Sequence, residues 1–254
     1  MSTFLNASPV FGPVRSRRLG LSLGVNMMPA SGKICTFDCI YCENGFNAER
    51  PCHEPYNSAA TVLAALEAKL RKMASTGELP DVITFAGNGE PTAAPEFPQA
   101  IAGAVRLRDK LAPSAKNAVL SNGTRADRPD VRDALMMVDD NILKLDTVDP
   151  DFIQLLDQPV GPYSVEHQIE TFATFGGHVI IQTMFLTGIK AMTSTTPAMR
   201  MSSPGSPHSS ASARRRRRST PWPARPRRRA SPRLRPRCST ASPPVSAPSV
   251  SPAR

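Results

Sequence analysis

The chain has 254 residues, 40% of them hydrophobic and 20% charged, and a formal net charge of +10. That length suits one sizeable domain, or a domain with an extension. Five cysteines, three of them clustered, exclude a secreted disulfide framework, and no apolar run reaches the length that spans a bilayer.

Met1–Val10 has neither a basic region nor a long apolar run, so a soluble, cytoplasmic protein is expected. The charge is unevenly placed. From Ile189 onward there are 15 Lys and Arg and no Asp or Glu, which leaves 16 basic against 21 acidic residues in the first 188, a net of −5. The body is mildly acidic, and the basicity that would suggest nucleic acid belongs to the last quarter.

A first strand is expected near Leu21–Met27, followed by the loop Cys35-Thr-Phe-Asp-Cys39-Ile-Tyr-Cys42. Three thiolates at this spacing can hold three corners of an iron–sulfur cube and leave one iron open to a small molecule. A purely electron-carrying cluster normally has four protein thiolates. A zinc knuckle would need Cys52 or His53 as a further ligand, and zinc ligands usually come as two pairs set far apart. Plain buried thiols are the other alternative. The spacing favours the cluster.

Behind an N-cap at Ser58, residues Val62, Leu63, Leu66, Leu70 and Met73 repeat at helical spacing. The strand Val82–Phe85 follows and runs straight into Ala86-Gly-Asn-Gly-Glu-Pro-Thr92. Glycines at a strand end let backbone approach a ligand closely, and a carboxylate there can hold an ammonium group by charge-assisted hydrogen bonds. Alone, Gly-Asn-Gly-Glu reads as a turn; about 45–50 residues after the cysteines and at a strand end it becomes specific.

Phe97, Ile101, Val105 and Leu111 mark a second helix behind Pro95, and Ala118–Leu120 a strand that ends in Ser121-Asn-Gly-Thr124. Val131, Leu135 and Val138 form a stripe after Asp127 and Pro129, and Ile142–Leu145 is the next strand. Val165, Ile169 and Phe172 make the last stripe, closed by Gly176-Gly177, before a strand over Val179–Leu186. Alternation of this kind implies βαβ units, a parallel sheet of five strands, and active groups in the loops after the strands' C-terminal ends. Lys144, Asp146 and Gln182 fall at such ends, where a solvated or structural role competes with a substrate-facing one.

From about Ile189 the pattern stops. The last 66 residues hold 12 prolines and the run Arg214–Arg218, without apolar periodicity. Such a segment cannot bury enough apolar area to offset its ordering entropy, so disorder is the default, and a basic tail reads as a nucleic-acid arm.

The cysteine loop, the glycine–acid motif and the βα repeats together resemble the radical SAM superfamily. The resemblance implies an α/β fold, a partial (βα)6 barrel truncated after about the fifth strand. It implies a core over residues 1–188 and a separate tail over 189–254. By it Cys35, Cys39 and Cys42 bind a [4Fe–4S] cluster, and S-adenosylmethionine chelates the remaining iron. Tyr41 takes the aromatic place before the third cysteine, beside the adenine; packing as a core aromatic is compatible with that. Gly89 and Glu90 match the Gly-Gly-Glu motif that grips the methionyl amino group, with Asn88 standing where the first glycine is often found. Ser121 and Asn122 take the place that serves the ribose hydroxyls and methionyl carboxylate, although an ordinary Asn-Gly turn reads equally well. No proton-transfer residue is assigned.

The activity implied is reductive cleavage of S-adenosylmethionine to a 5′-deoxyadenosyl radical, with the electron from an external flavodoxin- or ferredoxin-like reductant. Phe11–Gly20 and Ser22–Val25 resemble the subgroup related to wyosine-base synthases, which modify transfer RNA, so RNA is a candidate substrate and Arg15, Arg17 and Arg18 candidate phosphate contacts. No cysteine precedes Cys35 and no flavodoxin-like domain is present, so the subgroup is indicated and its substrate is not. A different class of function, an iron–sulfur or zinc protein with a nucleic-acid-binding tail, shares the same residues; so does an inactive, truncated member of the superfamily. The tail also has a rival reading as a frame-shifted translation of the family's C-terminal part. Shifted by one base, codons compatible with Ala191–Ser202 permit acidic and β-branched residues, and those of Arg218–Pro223 permit Val-Tyr-Thr-Leu-Ala. The abrupt end of periodicity favours the frameshift.

Overall fold

The computed structural model describes residues 4–47 and 54–186. Cys52, His53, Cys238 and the whole of segment 189–254 lie outside the described residues. Six strands form one sheet in sequence order: β1 (Val10–Ser16), β2 (Gly20–Val25), β3 (Val82–Phe85), β4 (Lys116–Ser121), β5 (Asp140–Lys144) and β6 (Ile180–Gln182). β1 and β2 are an antiparallel hairpin, whereas β2 to β6 are parallel throughout. The expected α/β class and the five parallel strands are both present. β1 is additional. Gly12 and Pro13 break its period-two pattern, and its pairing with β2 shifts register between Phe11 and Val14.

Five helices connect the strands: α1 (Ala59–Thr76), α2 (Phe97–Leu111), α3 (Pro129–Met136), α4 (Pro150–Leu156) and α5 (Val165–Ala173). Each parallel strand lies one place further along in the same direction. With right-handed crossovers, that order sets the connecting helices on one face of the sheet. The strand residues follow suit. Leu23, Val25, Ile83, Phe85, Val119 and Leu143 join the apolar core with Val62, Leu66, Leu70, Phe97 and Ile101 from α1 and α2. Alternate positions point the other way and are more polar: Ser22 and Thr84 share a 2.9 Å hydrogen bond across β2 and β3.

Local signals explain the helix ends. Ser58 caps α1 through the Thr61 N–H, and Gly77 closes it in the left-handed region at φ 78°. α4 has only seven residues, too few for a periodic stripe. It is set by Asp149, whose side chain accepts from the N–H groups of Asp151 and Phe152, and by Pro150 in its first turn. α5 departs from the expected stripe: Val165, Gln168, Thr171 and Phe172 are buried, while Ile169 is 40% exposed. Gln168 holds the inward face because its amide finds the Asn122 and Lys144 carbonyls there. The last strand is shorter than the Val179–Leu186 run, since only Ile180–Gln182 pair with β5. Among the described residues no helix is long and apolar enough to cross a membrane.

This packing sets a contrast between two aliphatic residues. Leu66→Ala, at a fully buried position, is expected to cost about 2–5 kcal/mol in urea unfolding. Ile169→Ala is expected to stay within about 0.5 kcal/mol. Equal losses at both positions would contradict the burial pattern of α5.

Candidate functional site

The cysteine loop is first tied to itself. Lys33, buried, donates to Asp38 Oδ1 at 2.9 Å and to the Gly45 carbonyl at 2.8 Å. The same Asp38 oxygen accepts from the Asn47 N–H at 2.8 Å, and Asn47 pairs its side-chain amide with both backbone groups of Cys35. Burial works against the Lys33 charge, but the bond to Asp38 and the nearby cysteines outweigh it and raise its pKa. A stretch without helix or strand is thus given a fixed course.

The loop is then moored across the C-terminal ends of three strands. Beyond β3, Ile34 and Gly89 form a parallel bridge, with the Ile34 N–H donating to the Asn88 carbonyl at 3.1 Å and the Glu90 N–H to the Ile34 carbonyl at 2.9 Å. A Cβ on Gly89 would sit 1.8 Å from the Ile34 carbonyl oxygen, so only glycine allows this approach. Asn88 faces elsewhere: its amide donates to the Pro29 and Asn6 carbonyls. Beyond β4, Thr36 accepts from Asn122 Nδ2 at 2.7 Å and lies 2.6 Å from the Thr124 hydroxyl. Near β5, the Ile40 N–H bonds the Leu156 carbonyl at the end of α4.

As a result Cys35, Cys39, Cys42, Tyr41, Gly89, Glu90, Ser121 and Asn122 all line one cavity of about 330 Å³. The residues expected to serve the cluster and its ligand are thus brought together. Glu90 is 2% exposed and heavily bonded. Its Oε1 accepts from the Thr92 N–H, the Thr92 hydroxyl and the Ser121 hydroxyl, and its Oε2 from the Asn122 N–H at 2.7 Å. Oε1 thus takes three of the four donors and Oε2 one, so Oε2 is the less engaged oxygen and has a lone pair left for a ligand. Burial pushes the Glu90 pKa up, and these hydrogen bonds pull against it.

None of the three cysteines is in a disulfide. Burial pushes the Cys35 thiol up to about 12, with Glu90 adding to the rise, and the Cys39 thiol up to about 11 against the pull of Lys144. Buried neutral thiols of this kind lose their protons to a metal that binds them. Among the described residues no three Cys, His, Asp or Glu side chains close around a point as a single ion requires. Three thiols and a carboxylate lining one cavity are a donor set that an iron–sulfur group with a small ligand could use.

The rest of the lining was less legible in the sequence. Lys144, Asp146 and Gln182 line the same cavity, as does Met184. Lys144 is ion-paired with Asp146 at 3.1 Å and with Asp157 at 2.9 Å, and its ammonium stands 4.4 Å from the Tyr41 ring centroid. The Tyr41 hydroxyl bonds both Lys144 and Asp146. Its pKa is raised, first by burial and then by the bond to Asp146. Asp157 follows α4 without any motif to mark it. Gln168, on the buried face of α5, donates to the Asn122 and Lys144 carbonyls and so ties the ends of β4 and β5. Arg15, Arg17 and Arg18, by contrast, are exposed around the β1–β2 turn, at the opposite end of β2 from the cavity.

No family model matches the chain. Over 185 residues it is 33% identical to a UPF0026 protein of Synechocystis sp., a match that covers 70% of this chain and 64% of that protein. It is 31% identical over 185 residues to a UPF0026 protein of Methanocaldococcus jannaschii, covering 71% and 54%. The chain therefore spans less than two thirds of the length of these relatives. Among solved structures, archaeal TYW1 superposes with a TM-score of 0.38 at 16% identity over 66% of this chain and 56% of that one, too slight a likeness to fix a fold.

Gly89 and Gly161 share φ 148°, but an added Cβ meets Ile34 at the first and nothing within 4 Å at the second. Gly89→Ala is therefore expected to open the cysteine loop, and Gly161→Ala to leave it closed. Thiol labelling of the metal-free protein should accelerate at least about tenfold, some 1.4 kcal/mol of local opening, in the first variant alone. Equal labelling of the two variants would contradict the mooring role of Gly89.

Proposed function

We propose that this chain is the cluster-bearing core of a radical SAM enzyme. The observation that carries the reading is that Cys35, Cys39 and Cys42 share one cavity with Glu90, whose Oε2 keeps an accepting position for an ammonium group. In this reading the three thiolates hold a [4Fe–4S] cluster and the cavity takes S-adenosylmethionine. When bound, these cofactors supply one-electron cleavage of a sulfonium C–S bond and hydrogen-atom abstraction from a substrate.

The chain's own residues do the rest. Glu90 binds and orients the ligand's amino group, held rigid by Thr92, Ser121 and the Asn122 N–H. Asn122, anchored by Thr36 and Gln168, offers its remaining surface to the ligand's polar groups. Tyr41 and Phe37 supply apolar wall that keeps water from the reacting atoms. An external flavodoxin- or ferredoxin-like reductant and a reducing, cytoplasmic setting go with this reading, as does RNA as a substrate class through the N-terminal resemblance.

Anaerobic reconstitution with iron and sulfide tests it. The wild-type chain is expected to take up about four iron and four sulfide and, with dithionite, to release 5′-deoxyadenosine from S-adenosylmethionine. Cys39→Ala should abolish release. Glu90→Gln should weaken S-adenosylmethionine binding by roughly ten- to a hundredfold, the worth of a hydrogen bond to a charged group. Zinc without sulfide, together with salt-sensitive RNA binding that depends on residues 189–254, would instead support the metal-binding alternative.

A second reading concerns residues 189–254, which we take to be a frame-shifted replacement of further βα structure. Ile180 and Ile181 point to opposite faces of β6 and are each 45% exposed, and Phe185 is 86% exposed, so the described residues leave both faces of this strand only partly covered. Restoring the frame near Gly188 is expected to raise the soluble yield and the melting temperature. If the present chain is as soluble and as stable as the restored one, this reading is wrong.

A further inference from the structure

Lys144 sits where the site described above gives it a second task. Its ammonium is 3.1 Å from Cys39 Sγ, within hydrogen-bonding reach of sulfur. Asp146 and Asp157 hold it there, with side chains 1% and 3% exposed. Asp146 is fixed in turn by the Met184 N–H at 2.9 Å, and the Tyr41 hydroxyl bonds both Lys144 and Asp146. The Phe37 ring centroid lies 5.9 Å from the ammonium.

As a device for stability the arrangement is poor. One cation between two buried carboxylates leaves a net negative charge beside a sulfur, and buried ion pairs seldom repay their desolvation. As a support for a cysteine ligand it is well formed. Hydrogen bonds to the sulfurs and nearby charge set the reduction potential of an iron–sulfur cluster. Reduction adds one negative charge, so a cation at the sulfur stabilises the reduced form more than the oxidised one. Without Lys144 the two carboxylates would act in the opposite sense.

Resting on the radical SAM reading, we propose that Lys144 is a positioning residue for the cluster: its ammonium hydrogen-bonds the Cys39 thiolate and raises the cluster's reduction potential. In the step concerned one electron leaves the external donor and enters the cluster, the donor is oxidised by one electron, and no proton moves. Asp146, Asp157 and Tyr41 keep the ammonium on the sulfur.

The test is potentiometric titration of the reconstituted full chain with dithionite, followed by electron paramagnetic resonance. Lys144→Met is expected to shift the one-electron equilibrium at least tenfold toward the oxidised form, about 59 mV more negative. Lys144→Arg, which keeps the charge, should return most of the shift. Because Lys144→Met strands two buried carboxylates and can impair folding, the double variant K144Q/D146N serves beside it. It keeps the net buried charge of this group unchanged while removing the cation in contact with Cys39, and it too should be more negative. Variants with wild-type iron content and unchanged potential would overturn the inference and leave the radical SAM reading standing. A wild-type chain that takes up no cluster would overturn both.

Discussion

The pairing of Ile34 with Gly89 is the contact on which the site depends. Two backbone hydrogen bonds join the cysteine loop to the end of β3, and the absence of a side chain on Gly89 lets the two segments meet. That single approach puts Cys35 next to Glu90, which in turn gathers Ser121 and the Asn122 N–H from the end of β4. The other moorings, Thr36 on Asn122 and Ile40 on the end of α4, extend the same alignment toward β5. A loop with no regular structure thereby becomes one wall of a defined cavity.

The sheet makes this possible by dividing its labour. One set of alternate residues packs with α1 and α2 into an apolar core that fixes the strand ends to one another. The other set is left to serve the ligand side, so Lys144 and Gln182 reach the cavity from β5 and β6 without disturbing the core. Charge inside the site is compensated locally. Lys33 is matched by Asp38 within the loop, Lys144 by Asp146 and Asp157, and Glu90 by donors rather than by a cation. Glu90 is therefore the buried carboxylate of the cavity still able to take a positive ligand group.

Much of this was legible in the sequence, for identifiable reasons. The apolar stripe of α1 follows helical spacing, β3 to β5 show as short β-type runs bounded by turn residues, and the glycine–acid motif marks its own strand end. Other features carry no local signal. β1 hides behind Gly12 and Pro13, and α4 is too short to show a period. Ile169 keeps helical spacing yet faces solvent, because Gln168 takes an inward position for its hydrogen bonds and Thr171 is buried beside it. Asp157, Gln168 and Thr36 matter only through partners distant in sequence, which no pattern along the chain encodes. The apolar β-type run Val179–Leu186 outlasts the strand itself, since only Ile180–Gln182 pair with β5 and Met184 turns its N–H to the Asp146 side chain.

The central claim is that the three cysteines and Glu90 serve one joint site, a cluster with an open iron and a ligand that reaches it. The most direct measurement is the electron paramagnetic resonance spectrum of the reduced, cluster-loaded chain before and after addition of S-adenosylmethionine. A ligand that coordinates the open iron must change the spectrum, and that change is the result expected here. A cluster signal that stays the same at saturating S-adenosylmethionine would contradict the claim, leaving the cysteines and Glu90 as neighbours without a shared task.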